Sequence, residues 1–72
     1  MISYEPFWST LGASSETTYT LIHRFGISSN TINRLRKGDA ITTVTLNDLC
    51  KILNCQVYDI LKYEPSKEDQ RL

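Results

Sequence analysis

Gly26 and Gly38 each close a stretch with helical apolar spacing, and each stretch opens on a hydroxyl residue, Thr17 and Ser28. Glycine takes the left-handed conformation that ends a helix without steric cost. Threonine and serine cap helix starts by accepting orphaned backbone N–H bonds. Residues 17–38 therefore read as capped helix, glycine turn, capped helix, glycine stop. Leu21, Ile22 and Phe25 form the apolar stripe of the first helix, and Ile32 and Leu35 that of the second. Ile27, just after the turn, is expected to plug the space between them.

Three further helical segments are predicted around this unit. Pro6 suits the first turn of an opening helix, where its missing N–H costs nothing. Phe7, Trp8 and Leu11 then share one side, and Gly12 with Ala13-Ser14-Ser15 ends that helix. Residues 39–44 have strand-like composition but no evident partner strand, so they are read as an extended loop with Ile41 tucked in. Thr45 is expected to cap a fourth helix, with Asp48 completing a capping box and Leu46, Leu49, Ile52 and Leu53 facing inward. Asn54 fits a left-handed exit. A fifth helix is expected over 56–63 with Val57, Ile60 and Leu61 inward, stopped by Glu64-Pro65. The fold class is thus all-α, a compact five-helix domain over 1–64 with a polar, frayed tail over 65–72.

A chain of 72 residues is near the lower end of what folds without disulfides or metal, so its large apolar residues are committed to one core. That leaves little room for a buried catalytic cavity. Paired acids, a nucleophile beside a base and a phosphate-cradling loop are all missing, so no enzymatic activity is expected. Cys50 and Cys55 lack Cys-x-x-Cys spacing, and the single histidine, His23, is distant in sequence and expected on an exposed face. Zinc needs about four ligands, so neither metal nor cofactor is expected, and both cysteines are read as small, buried and reduced. Asp48 and Asp59 are read as cap and surface. No apolar run nears the roughly 18 residues of a membrane span, and the first residues carry no basic cluster followed by an apolar stretch. A cytoplasmic protein without a membrane partner is expected.

Formal net charge is zero, but charge is unevenly placed. Between 17 and 38 the charged residues are Arg24, Arg34, Arg36 and Lys37, with no acid among them. Asp39, Asp48, Asp59, Glu64, Glu68 and Asp69 all follow that stretch. A partner within a Debye length senses the local field and not the sum. A polar, cationic helix behind a glycine turn suits a helix-turn-helix, whose second helix enters the major groove of duplex DNA.

The string Phe25-Gly26-Ile27-Ser28-Ser29-Asn30-Thr31-Ile32-Asn33-Arg34-Leu35-Arg36-Lys37-Gly38 strongly resembles the Cro/C1-type (XRE-like) helix-turn-helix of bacterial and phage repressors. Leu46-Asn47-Asp48-Leu49-Cys50-Lys51-Ile52-Leu53-Asn54-Cys55 is similar to that family's fourth helix and its exit, and Val57-Tyr58-Asp59-Ile60-Leu61 to its fifth. The opening Ile2-Ser3-Tyr4-Glu5-Pro6-Phe7-Trp8 is similar to the small stand-alone regulators of the group.

The resemblance implies a lambda-repressor-like domain that regulates transcription, as a repressor, by binding a double-stranded operator. It implies a homodimer on an inverted repeat. Thr18 would meet a phosphate; Ser29, Asn30 and Arg34 would face base edges, with Asn33 beside them. Ser28, Arg36 and Lys37 would anchor the backbone. Asparagine can bond adenine and arginine guanine in a bidentate manner, whereas phosphate contacts fix register. Relatives often have glutamine where Thr18 stands and an apolar residue where Glu16 stands. Tyr4, Phe7 and Trp8 are read as core or dimer seam in preference to a stacking platform, and Tyr58 and Tyr63 as further seam candidates. The rival reading is a protein-interaction module, an antitoxin or adaptor whose surface meets a protein partner.

Overall fold

The computed structural model describes residues 1–67. Among them the chain forms β1 (Ile2–Ser3), α1 (Glu5–Ala13), α2 (Thr18–His23), α3 (Ser29–Lys37), α4 (Thr43–Leu53), a single 3-10 turn at Val57–Asp59, and β2 (Lys62–Tyr63). Of the tail expected over 65–72, residues 68–72 lie outside the described residues.

The helix ends follow the local chemistry of the sequence. The Thr17 hydroxyl accepts the Thr20 N–H at 3.2 Å, while the Thr17 N–H donates to the Thr20 hydroxyl at 2.8 Å. The Ser28 hydroxyl accepts the Thr31 N–H at 3.1 Å. Gly26 and Gly38 have φ of 76° and 79°, and Asn54 has φ of 50°, so each supplies the left-handed exit expected of it.

α4 starts earlier than expected. Its cap is Thr42, whose hydroxyl accepts the Thr45 N–H at 3.1 Å. Thr45 is thus inside the first turn, Asp48 takes no part in the cap, and the preceding loop is shorter than 39–44.

The fifth helix is not formed. Only Val57–Asp59 turns, as 3-10, before the chain extends into β2. The reason is local: Asp59 Oδ2 accepts the Gln56 N–H at 2.9 Å, closing a tight turn. Of the residues expected inward, Ile60 is fully buried, whereas Val57 is 50% exposed. Leu61 is only half-buried against the core, so the apolar face is too small to hold an amphipathic helix there. β2 then pairs antiparallel with β1, Ile2 opposite Tyr63 and Ser3 opposite Lys62, and the Glu64 N–H donates to the Met1 carbonyl at 2.8 Å. Among the described residues the domain has four α-helices, and a small sheet joins residues 2–3 to residues 62–63.

The core is one cluster: Phe7 and Leu11 of α1, Leu21 of α2, Ile27, Ile32 and Leu35 of α3, Leu49 of α4, and Ile60, with Tyr4 at its edge. Ile27 is buried, as its position after the turn demands. Phe25 is not: it is 38% exposed, with the Arg24 guanidinium 5.2 Å from its ring centroid. α1 is fastened at both ends of this cluster. Its Phe7 N–H donates to the Ile60 carbonyl at 3.1 Å and the Thr10 hydroxyl to the Asp59 carbonyl at 2.8 Å. On the other side, the Tyr4 hydroxyl donates to the Asp39 carbonyl at 2.7 Å.

Two groups in this frame hold their protons more tightly than usual. Burial, assisted by the Asp39 carboxylate, raises the Tyr4 phenol despite an opposing backbone contact at Ile41. Burial, with Cys50 and Asp59 nearby, pushes the Cys55 thiol from 9.0 to about 11. A raised native pKa stabilises the fold below the unfolded pKa, and that stability is lost as pH climbs towards the native value. The urea midpoint should hold steady around neutrality and fall between pH 9 and 11. Cys55→Ser should remove the early part of that fall. Tyr4→Phe should cost about 1 kcal/mol at neutral pH for the lost hydrogen bond, measured by thermal unfolding. A variant as stable as the parent would mean that the Asp39 contact does not hold the fold.

Candidate nucleic-acid interface

α3 has one side in the core and the other in water. Ile32 and Leu35 are almost fully buried, while Ser28, Ser29, Asn30, Asn33, Arg34, Arg36 and Lys37 are all exposed. With roughly 3.6 residues per turn, side chains four apart form rows along a helix. Ser29, Asn33 and Lys37 make one row, and Asn30 and Arg34 the next. The expected readers thus share one outward face. Three cations, Arg34, Arg36 and Lys37, occupy the last turn, where they also complement the helix dipole.

Within that face the side chains are not equivalent. The Ser28 hydroxyl is engaged at the cap, accepting from Thr31 N–H and lying 2.9 Å from the Thr31 hydroxyl. The amide N–H groups of Ser28, Ser29 and Asn30 have no intramolecular acceptor among the described residues. Arg36 leans back towards α1: its guanidinium carbon is 5.7 Å from the Trp8 ring centroid, and Nη1 donates to Asn33 Oδ1 at 3.3 Å. Asn33 therefore has its carbonyl oxygen occupied, and bidentate recognition of adenine would require releasing it. Among the described residues Asn30, Arg34 and Lys37 form no side-chain hydrogen bond or ion pair, so they are the groups left to meet a ligand.

Thr18 is the outlier. It is half-buried at the start of α2, lining a groove with Trp8, Leu11, Glu16 and Thr17. The neighbouring Glu16 is accommodated by local bonding. Its N–H donates to the Ser14 hydroxyl at 3.0 Å, and its carboxylate sits 3.9 Å from Arg24 with only 13% of the side chain exposed. One of the four cations in 17–38 is thereby partly neutralised.

Trp8 is the residue whose role the sequence did not disclose. It is half-buried, its Nε1–H donates to the Leu35 carbonyl at 3.4 Å, and its ring borders both Thr18's groove and the Arg36 guanidinium. It packs edge-on to Phe7, with centroids 4.9 Å apart. Its placement in the core region was legible; its contact with Arg36 depends on a helix crossing that no local pattern encodes. Tyr19, exposed on α2 and stacked on His23 at 4.3 Å, is another polar aromatic on this side of the sequence unit that carried no motif signal beyond its four-residue spacing.

A family model for the Cro/C1-type HTH DNA-binding domain matches residues 7–66. The chain belongs to this family. Among solved structures, the Cro/C1-type domain described here is similar to a crystal structure of the transcriptional regulator VanUg. The two share 28% sequence identity with a TM-score of 0.79, over 90% of this chain and 87% of that one. No curated protein matches the chain. Within the matched residues α2, the Gly26 turn and α3 follow one another as helix, turn and helix, and DNA is the ligand this family's domain binds. No helix among the described residues is long and apolar enough to cross a membrane.

The division between cap and surface is open to test. Ser28→Ala should cost about 1 kcal/mol of stability through the lost N-cap, whereas Ser29→Ala should stay within about 0.5 kcal/mol of the parent. Equal losses in urea unfolding would mean that Ser28 is not the cap.

Proposed function

We propose that this domain is a transcriptional regulator of the repressor type, which binds a specific operator by inserting α3 into the major groove of duplex DNA. The observation that carries the reading is the outward face of α3: Asn30, Arg34 and Lys37 share it, unpaired and without an acid on the helix. The similarity to a protein described as a transcriptional regulator supports it.

In this reading Asn30 and Arg34 are the principal base readers, because an unengaged amide and guanidinium can each offer two hydrogen bonds to one base. Ser29 lies beside them. Asn33 acts through Arg36, whose guanidinium it holds near Trp8, and Arg36 with Lys37 anchors the phosphate backbone. The free amides of Ser28, Ser29 and Asn30 at the helix start suit a phosphate oxygen, as does the start of α2 at Thr18. Two copies acting as a homodimer would match an inverted repeat, with α3 helices entering successive major grooves about 34 Å apart. Tyr58 and Tyr63, 73% and 62% exposed, are candidates for the seam. The action is binding in the cytoplasm, with no cofactor and no catalysed reaction.

Duplexes enriched from a random pool provide the substrate for the test, and a palindromic consensus is the expected outcome. On that consensus Arg34→Ala should cost roughly 1–3 kcal/mol and relax preference at one base position. Asn30→Ala should act similarly and exceed Asn33→Ala. Lys37→Ala should weaken all duplexes about equally and reduce the salt dependence by about one phosphate. If Arg34→Ala left affinity and preference unchanged, α3 would not be the reading helix.

A further inference from the structure

α4 ends by bringing together two side chains that DNA binding does not use. Asn54 takes the left-handed turn, the Cys55 N–H donates to the Cys50 carbonyl at 3.0 Å, and the Asn54 N–H reaches the Lys51 carbonyl at 3.4 Å. In this helix ending the side chain beyond the turn meets the one facing it in the last turn. Here both are cysteines. The helix ending therefore places the Cys50 and Cys55 side chains side by side. Both side chains are half-buried against the core and not sealed within it.

A disulfide requires Cα atoms about 4.4–6.8 Å apart and side chains directed towards each other. A turn closed by a backbone hydrogen bond between the same two residues supplies the first condition, and the facing of the two side chains in this helix ending supplies the second. The spacing in sequence gives no hint of this, because it is not the Cys-x-x-Cys of known redox motifs. The turn also occupies a joint: it leads into the Val57–Asp59 turn and Ile60, and the carbonyls of Asp59 and Ile60 receive hydrogen bonds from α1.

We propose that Cys50 and Cys55 are a reversible dithiol–disulfide pair, a site of oxidation by small-molecule disulfides at the C-terminal end of α4. Cys50, as thiolate, attacks one sulfur of the small disulfide, and the released thiolate takes up the proton that Cys50 gave up. Cys55 then loses its proton and attacks the Cys50 sulfur, expelling the second small thiolate, which accepts that proton. The protein loses two hydrogens and forms one S–S bond; the small disulfide is reduced to two thiols. Burial and the nearby Asp59 carboxylate keep Cys55 protonated at neutral pH, which makes Cys50 the first nucleophile and Cys55 the resolving thiol.

Intact-mass spectrometry of the full chain tests this after incubation with oxidised glutathione, acid quenching and alkylation in denaturant. The parent should lose two hydrogens, take up no alkyl group and remain monomeric, and dithiothreitol should restore two alkylatable thiols. Cys55→Ser should stop at a glutathione adduct on Cys50, and Cys50→Ser should form that adduct far more slowly. A parent chain that keeps two alkylatable thiols, or that carries glutathione on both without closing the S–S bond, would overturn the proposal.

Discussion

The direction in which α3 points depends on two hydrogen bonds to its C-terminal end, one from Tyr4 just before α1 and one from Trp8 within it. The Tyr4 hydroxyl holds the Asp39 carbonyl just beyond the helix, and the Trp8 indole N–H holds the Leu35 carbonyl within its last turn. Carbonyls at a helix end have no intrahelical partner, so donors placed there satisfy them and fix the helix in space. Phe7, between the two donors, is fully buried in the cluster that contains Ile32 and Leu35. α1 in turn is held from behind by Ile60 and Asp59. In a domain this small, α3 is held in direction by a chain of contacts that runs from the β1–β2 pairing through α1 to the end of α3.

That arrangement also explains why a chain of zero formal charge carries a cationic surface. Four of the acids among the described residues are engaged in local structure or with partners outside α3. Asp59 closes the Gln56 turn, Glu16 lies against Arg24, and Glu5 and Glu64 flank Lys62. Lys62 is raised above its ordinary value, chiefly by its bond to Glu64. α3 contains no acid at all, and among the described residues the three cations of its last turn have no carboxylate partner.

Features that depend on a few neighbouring residues were legible in the sequence. The caps at Thr17 and Ser28 and the left-handed exits at Gly26, Gly38 and Asn54 need only the residue type at one position. Ile27 as a plug and the exposed row of α3 follow from helical spacing. Where two local solutions competed, the sequence misled: Thr42 and Thr45 are both good caps, and their hydroxyls lie 3.2 Å apart in the same first turn. The fifth helix failed because Val57-Tyr58-Asp59-Ile60-Leu61 has helical composition, yet a tight Gln56–Asp59 turn and the pairing of Lys62–Tyr63 with Ile2–Ser3 override it. That pairing joins opposite ends of the chain, which no window can see. The same limit hid the Trp8–Arg36 contact, and with it the distinction between Asn30, left free, and Asn33, engaged with Arg36.

The most direct measurement of the central claim is a backbone amide NMR titration of the domain with its selected duplex. Shifts concentrated at Thr18 and over residues 28–37, largest around Asn30 and Arg34, are what the account predicts. Shifts centred on Tyr58 and Tyr63 with α3 unmoved, or none at all at low salt, would contradict it.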